Sequence, residues 1–228
     1  MLDGQLPSQF PEVAGQSGLR DFLADHIDMQ FEDVRAVLRL PQAQALGTTG
    51  GGNFLAASAL MAIICGASTL FYDAGPHAFQ YPYRSQQRFL DVLGYMPWDA
   101  NASGIQRGAG SKRLGQFARN PLTHAFGVSY SPGKATGHVP NNLQWSLAIV
   151  KRGYSVPEIG KLEQCVGRPA FVGVPLRKVA SRPDDFVLDV GGLYWAVHRM
   201  LHTLFADKTQ ASRAEHMPVR LVRGWQRP

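Results

Sequence analysis

Asn53-Phe54-Leu55-Ala56-Ala57-Ser58-Ala59-Leu60-Met61-Ala62-Ile63-Ile64-Cys65, continuing apolar through Phe71-Tyr72, is the stretch whose environment decides the fold. No charged residue occurs between positions 40 and 72, and about 18 or more apolar residues suffice to span a bilayer. Three features argue against a span. Ala, Ser, Gly and Thr dilute the run, Asp73 ends it at once, and neither flank carries an excess of Lys or Arg. A helix that is apolar all round and lies outside a membrane has to be enclosed by protein, so the run is read as the central helix of a bundle. The competing reading is a membrane-associated chain anchored by residues 53–72, which would need detergent for solubility.

Upstream, apolar residues at Leu19, Phe22, Leu23, Ile27, Phe31, Val34, Val37 and Leu38 repeat at helical spacing, with Asp25, Asp28, Glu32 and Arg35 filling the other face. Pro41 marks the end of this helix. The glycines from Gly47 to Gly52 then form a hinge, and Asn53 is the expected N-cap of the apolar helix. A glycine-rich loop entering a helix can cradle phosphate, but this one lacks the Gly-Lys-Ser/Thr ending of a P-loop and follows a helix rather than a strand.

Downstream, a third helix is predicted over residues 83–95, with Phe89, Leu90, Val92 and Leu93 apolar and Pro97 closing it. After a loop over 99–110, a fourth helix carries Leu114, Phe117, Leu122 and Phe126, with Gly127 as its C-cap. Residues 129–142 read as a loop. The runs 145–150 and 171–174 read as short strands, and Ser155-Val156-Pro157-Glu158 has the capping-box pattern of a small helix between them. A long final helix starts near Asp185 or Asp189 and buries Leu193, Tyr194, Val197, Leu201, Leu204 and Phe205. The fold class expected is mainly α, a bundle of four to five helices with a small irregular or two-stranded β insertion. Residues 1–17 form an irregular lead-in, 18–216 a single domain with the insertion at 129–182, and 217–228 a basic tail.

With 228 residues, 45% hydrophobic and 18% charged, the chain can bury one sizeable core. Its formal charge of +6 favours polyanions over acidic proteins as partners. Cys65 and Cys165 imply no disulfide framework, and Cys65 is expected as a buried free thiol. The N-terminus lacks a basic segment followed by an apolar stretch, so a cytoplasmic setting is expected.

The chemistry concentrates in Arg119-Asn120-Pro121-Leu122-Thr123-His124. On an ideal helix Arg119 and His124 stand about 140° apart, while Asn120 and His124 share a face. Pro121 has no N–H and clashes with the carbonyl of Phe117, so it bends or restarts the helix and can swing Arg119 toward that face. These residue types suit metal-independent RNA cleavage. An imidazole can take the proton of a ribose 2′-hydroxyl or give one to the leaving 5′-oxygen, and a guanidinium can hold the phosphorane charge. Asn120 would orient the imidazole or the phosphate. One His cannot fill both acid and base roles at once, which favours two copies facing each other in a homodimer. Spacing alone is a weak signal, since such pairs arise often by chance.

The segment from Arg119 through Gly127 resembles the signature of the HEPN superfamily (higher eukaryotes and prokaryotes nucleotide-binding), in which Arg, a polar residue often Asn, and then His lie on the final part of a bundle helix. Gly51-Gly52-Asn53-Phe54 and Asp189-Val190-Gly191-Gly192-Leu193-Tyr194 also look like bacterial members. The resemblance runs from Leu19 to about Phe205, with only the Arg-Asn-x3-His piece specific. It implies a dimerising helical bundle whose paired motifs line one cleft, commonly a metal-independent endoribonuclease needing no cofactor. Many such proteins are toxins or defence effectors held in check by an inhibitory, antitoxin-like partner. Others have lost catalysis and serve as nucleotide-binding, RNA-binding or assembly modules, which is the alternative here. Arg119, Asn120 and His124 are all present and would be the catalytic residues.

Other constellations are secondary. Arg107, Lys112 and Arg113, with Lys134, Lys151 and Arg152, put positive charge around the motif for an RNA backbone, and Tyr130 and Trp145 are of a type that stacks on bases. His198 and His202, at i,i+4, have a zinc-capable spacing, but no Glu follows the first and no third ligand is evident. They are read as exposed helix histidines, and no metal site is expected. Asp184-Asp185 is read as a helix start favoured by the helix dipole.

Overall fold

The structure is a computed structural model that describes residues 27–39, 52–72, 82–119, 147–150, 175–179 and 182–210. Its helices are α1 (Met29–Arg39), α2 (Asn53–Tyr72), α3 (Pro82–Leu93), α4 (Ala100–Ser103), α5 (Arg107–Arg113) and α6 (Val190–Ala206). A π-helical segment, Leu114–Arg119, extends α5. The strands are β1 (Leu147–Val150), β2 (Leu176–Val179) and β3 (Arg182–Asp189). The fold is thus mainly α with a small sheet.

Helix α2 is where the other elements meet: α1, α3, α6, β1 and the π segment all pack on it. Leu60, Met61 and Ile64 are fully buried, each stabilising the fold by roughly 1.5–3 kcal/mol. The helix is long and apolar enough to cross a membrane, and 56% of its apolar window is buried within the protein. Its outer side remains open at Phe54 and Leu55, which are 50% and 62% exposed. Cys65, expected to be buried, is only half-buried and is a free thiol. The expected cap also shifts by one residue. Asn53 lies inside the helix, and Gly52, at φ 78°, takes the cap position with its carbonyl accepting the Ala56 N–H at 2.8 Å. A positive φ suits glycine, which has no Cβ to clash.

Helix α6 is more enclosed than α2, with fourteen of its seventeen residues buried. All six positions predicted to face the core, from Leu193 to Phe205, do so. Phe205 meets Phe71 edge-on with ring centres 5.1 Å apart, tying the far ends of α6 and α2 together.

The sheet has strand order β1-β3-β2, with β1 parallel and β2 antiparallel to β3. The run 145–150 was expected as a strand, and β1 lies within it; 171–174 and 155–158 fall outside the described residues. Asp184-Asp185 do not start a helix but lie within β3. The reason is alternation: Phe186 and Leu188 are buried while Val187 between them is only partly so, a period of two that fits a strand. The helix begins one residue past β3, where the Asp189 carboxylate accepts the Gly192 N–H at 2.9 Å. Asp189 was the second start predicted.

The loop expected over 99–110 contains two helical pieces. Asp99 Oδ1 accepts the N–H groups of Asn101 and Ala102 at 2.9 and 3.0 Å, starting α4, and Gly104 at φ 67° ends it. Trp98 lies against this corner and donates its indole N–H to the Ile105 carbonyl at 2.7 Å. Its ring also covers Gly110 so closely that a Cβ there would stand 2.2 Å from the ring edge. Because the indole hydrogen bond fixes the ring, Gly110→Ala is expected to destabilise the fold by about 1–3 kcal/mol, the usual range for overpacking. Urea denaturation of the variant measures this, and an unchanged midpoint would show that the ring moves freely.

Candidate functional site

The predicted motif is reached through a single helical run. Helix α5 passes into the π segment, in which Leu114 and Ala118 are buried. The segment packs on α2, α3 and α5, and Arg119 is its last residue. Asn120 and His124 lie outside the described residues, as does the side chain of Arg119. The π register alters one expectation. The angle between Arg119 and His124 was derived for an α-helix at about 100° per residue, whereas the chain enters the motif in a wider turn. Such turns are rare and frequently mark functional sites.

The three predicted RNA-binding cations have different surroundings. Arg107 is exposed and donates to the Gly94 carbonyl at 3.2 Å. Lys112 is exposed and engages no partner among the described residues. The Arg113 guanidinium sits over the Phe186 ring, 4.1 Å from its centre. That cation–π contact spans from α5 to β3, so Arg113 fastens the motif helix to the sheet as well as contributing charge. Lys134, Lys151, Arg152, Tyr130 and Trp145 fall outside the described residues.

A second group of titratable side chains lies between α1 and α6, and the sequence reading misplaced it. His198 and His202 are buried, at 8% and 7% exposure, not solvated. Their rings are 5.0 Å apart, and Phe31 lies edge-on to both His198 and Tyr194 at 5.3 and 5.4 Å. Burial, then the neighbouring His202, then Arg35 push the His198 pKa from 6.5 down to about 3. A neutral imidazole results, acting as an aromatic core residue at neutral pH. Among the described residues no group of three His, Cys, Asp or Glu side chains is placed to hold a metal ion.

Asp28 was assigned to the solvent face of the first helix, yet it is 1% exposed, and its Oδ1 has no hydrogen-bond partner among the described residues. Burial first, then the neighbouring Glu32, raise its carboxyl to about 6. Glu32 itself pairs with Arg35 at 2.9 Å. The signal for Asp28 was present in the spacing. Asp28 and Phe31 are three residues apart and so are neighbours on one helix face, and Phe31 is fully buried.

No protein-family model, curated protein or solved structure matches this chain.

Asp28 and His198 respond to acid with opposite signs. Below pH 6.5 the unfolded chain protonates His198 before the folded one does, so its contribution to stability declines as pH falls toward about 3. Asp28 takes its proton more readily when folded, so its contribution rises as pH falls from about 6 to 3.8. Each slope is about 1.4 kcal/mol per pH unit, and the two nearly cancel within that window. Asp28→Asn removes one of them. Compared with the parent at the same pH, the variant should be most stable above about pH 6 and lose ground steadily from there down to about pH 4. Urea midpoints over a pH series measure this, and parallel profiles for the two proteins would refute it.

Proposed function

We propose that this chain is a metal-independent endoribonuclease of the HEPN type, working in the cytoplasm as a homodimer. The observation that carries the reading is the π-helical segment, packed on α2, α3 and α5, that ends at Arg119 and leads straight into Asn120 and Pro121. A segment packed on the core gives a catalytic arginine a fixed base, which positioned transition-state stabilisation requires. The net positive charge of the chain supports a polyanionic substrate.

In this reading His124 takes the proton of a ribose 2′-hydroxyl as that oxygen attacks the adjacent phosphorus. The bond from phosphorus to the 5′-oxygen breaks, and the leaving oxygen receives a proton from the His124 of the second copy. The products are a 2′,3′-cyclic phosphate and a free 5′-hydroxyl. Arg119 binds the phosphate and holds the charge that builds on its oxygens, and Asn120 keeps imidazole and phosphate aligned. No cofactor is needed. A nuclease of this kind would be toxic to its own cell, which fits a toxin or defence effector restrained by an inhibitory partner.

Incubating the purified protein and its His124→Ala variant with RNA in EDTA tests the proposal. The parent should leave cyclic phosphate ends, and the variant should be slower by about 10²-fold or more, the usual contribution of a general acid or base. Equal inertness, or equal cleavage by both proteins, would remove the ribonuclease reading.

A further inference from the structure

The sheet brings another cation to the helix that leads into the motif. On β2, Lys178 is exposed and stands opposite Phe186 of β3 in the antiparallel register. Directly opposed residues share a face of the sheet, so Lys178 rises from the same face as the ring that carries the Arg113 guanidinium. Leu176 and Leu188, the next opposed pair, are buried on that face. Its Cβ also lies 3.5 Å from the place a Cβ on Gly104 would occupy, which sets β2 against the end of α4. Arg177, the neighbour of Lys178, belongs to the other face and reaches Asp189 at 3.8 Å.

We propose that Lys178, with Lys112 and Arg113, forms a track for the phosphodiester backbone of single-stranded RNA, running from the sheet edge toward Arg119. The ligand class rests on the ribonuclease reading; the track rests on the placement of the cations. Lys112 and Lys178 are both exposed, and neither engages a partner among the described residues. Both side chains thus stand at the surface, where a polyanion can reach them. Lys112 and Arg119 lie seven residues apart on one helical run, the last six of them in the π segment, a short reach that one strand covers with a few phosphates. Phe186 is 1% exposed and cannot stack on a base. The track would therefore hold the backbone and read little sequence, as phosphate contacts do.

The test is fluorescence anisotropy of labelled single-stranded RNA with the full-length His124→Ala protein in EDTA, over a series of salt concentrations. Lys178→Ala and Lys112→Ala, each checked for an unchanged melting temperature, should weaken binding severalfold for RNAs of different sequence. Each should also lower the slope of log K against log salt by about 0.7, the value for one single-strand phosphate contact. Lys178→Arg, which keeps the charge, should retain the affinity. Affinity and slope that do not move in Lys178→Ala would overturn the track, and that is the result expected of a lysine that only guards a strand edge. Failure of the parent to bind RNA at all would also overturn it. A parent that cleaves nothing, yet binds RNA in a Lys178-dependent way, would remove the ribonuclease reading and leave the track standing.

Discussion

Twenty consecutive residues without a charge cannot be left in water at no cost, and the described fold is organised around covering α2. α1, α3, α6, β1 and the π segment each cover part of it. The cover is uneven. Phe54 and Leu55 stay open near its start, whereas α6 is enclosed along almost its whole length. α2 is therefore a wall of the core and α6 its inner post. Small residues make the close packing possible: Ala56, Ala57 and Ala67 are buried on α2, as is Ala196 on α6. The same dilution by alanine that argued against a membrane span lets neighbouring elements approach α2 closely.

Polar groups caught in this core are handled in two ways. Asp189 finds polar partners because the end of a strand and the start of a helix meet there. Its carboxylate accepts the Gly192 N–H, and Arg177 stands 3.8 Å away. A carboxylate at a helix N-terminus is favoured both by that hydrogen bond and by the helix dipole. Between α1 and α6 such compensation is weaker, and the groups tend to lose charge. His198 stays neutral at physiological pH among Phe31, Tyr194 and Trp195. Asp28 holds its proton well above the ordinary carboxylate range. A buried charge without a partner costs several kcal/mol, so shifting the protonation equilibrium is the cheaper response.

The run from Trp98 to Arg119 is fastened at intervals. The Trp98 ring covers Gly110, the Arg113 guanidinium lies over Phe186, and Leu114 and Ala118 are buried. The three attachments reach different partners, and together they hold the helix against both the bundle and the sheet. If Arg119 binds phosphate as proposed, this matters, because misplacement by about 1 Å can cost on the order of 10²-fold in rate.

Much of the fold was legible in the chain itself. The apolar run and the stripes of α1 and α6 gave the helices, because a helix face repeats at short spacing that a reader can count. The cations of α5 were legible as neighbours in sequence, whereas Asn120 and His124 lie outside the described residues. The tertiary structure alone decided which polar residues are buried: Asp28 lies three residues from a buried Phe31, and His198 is in the core with Phe31 of α1 edge-on to it and His202 buried beside it. It alone decided that residues 182–189 pair with two other strands, since pairing energy comes from chain segments far away in sequence. It also set Lys178 opposite Phe186 and so beside Arg113. Local spacing fixes which residues share an element, whereas burial and charge depend on what packs against that element, and that is written nowhere in the local pattern.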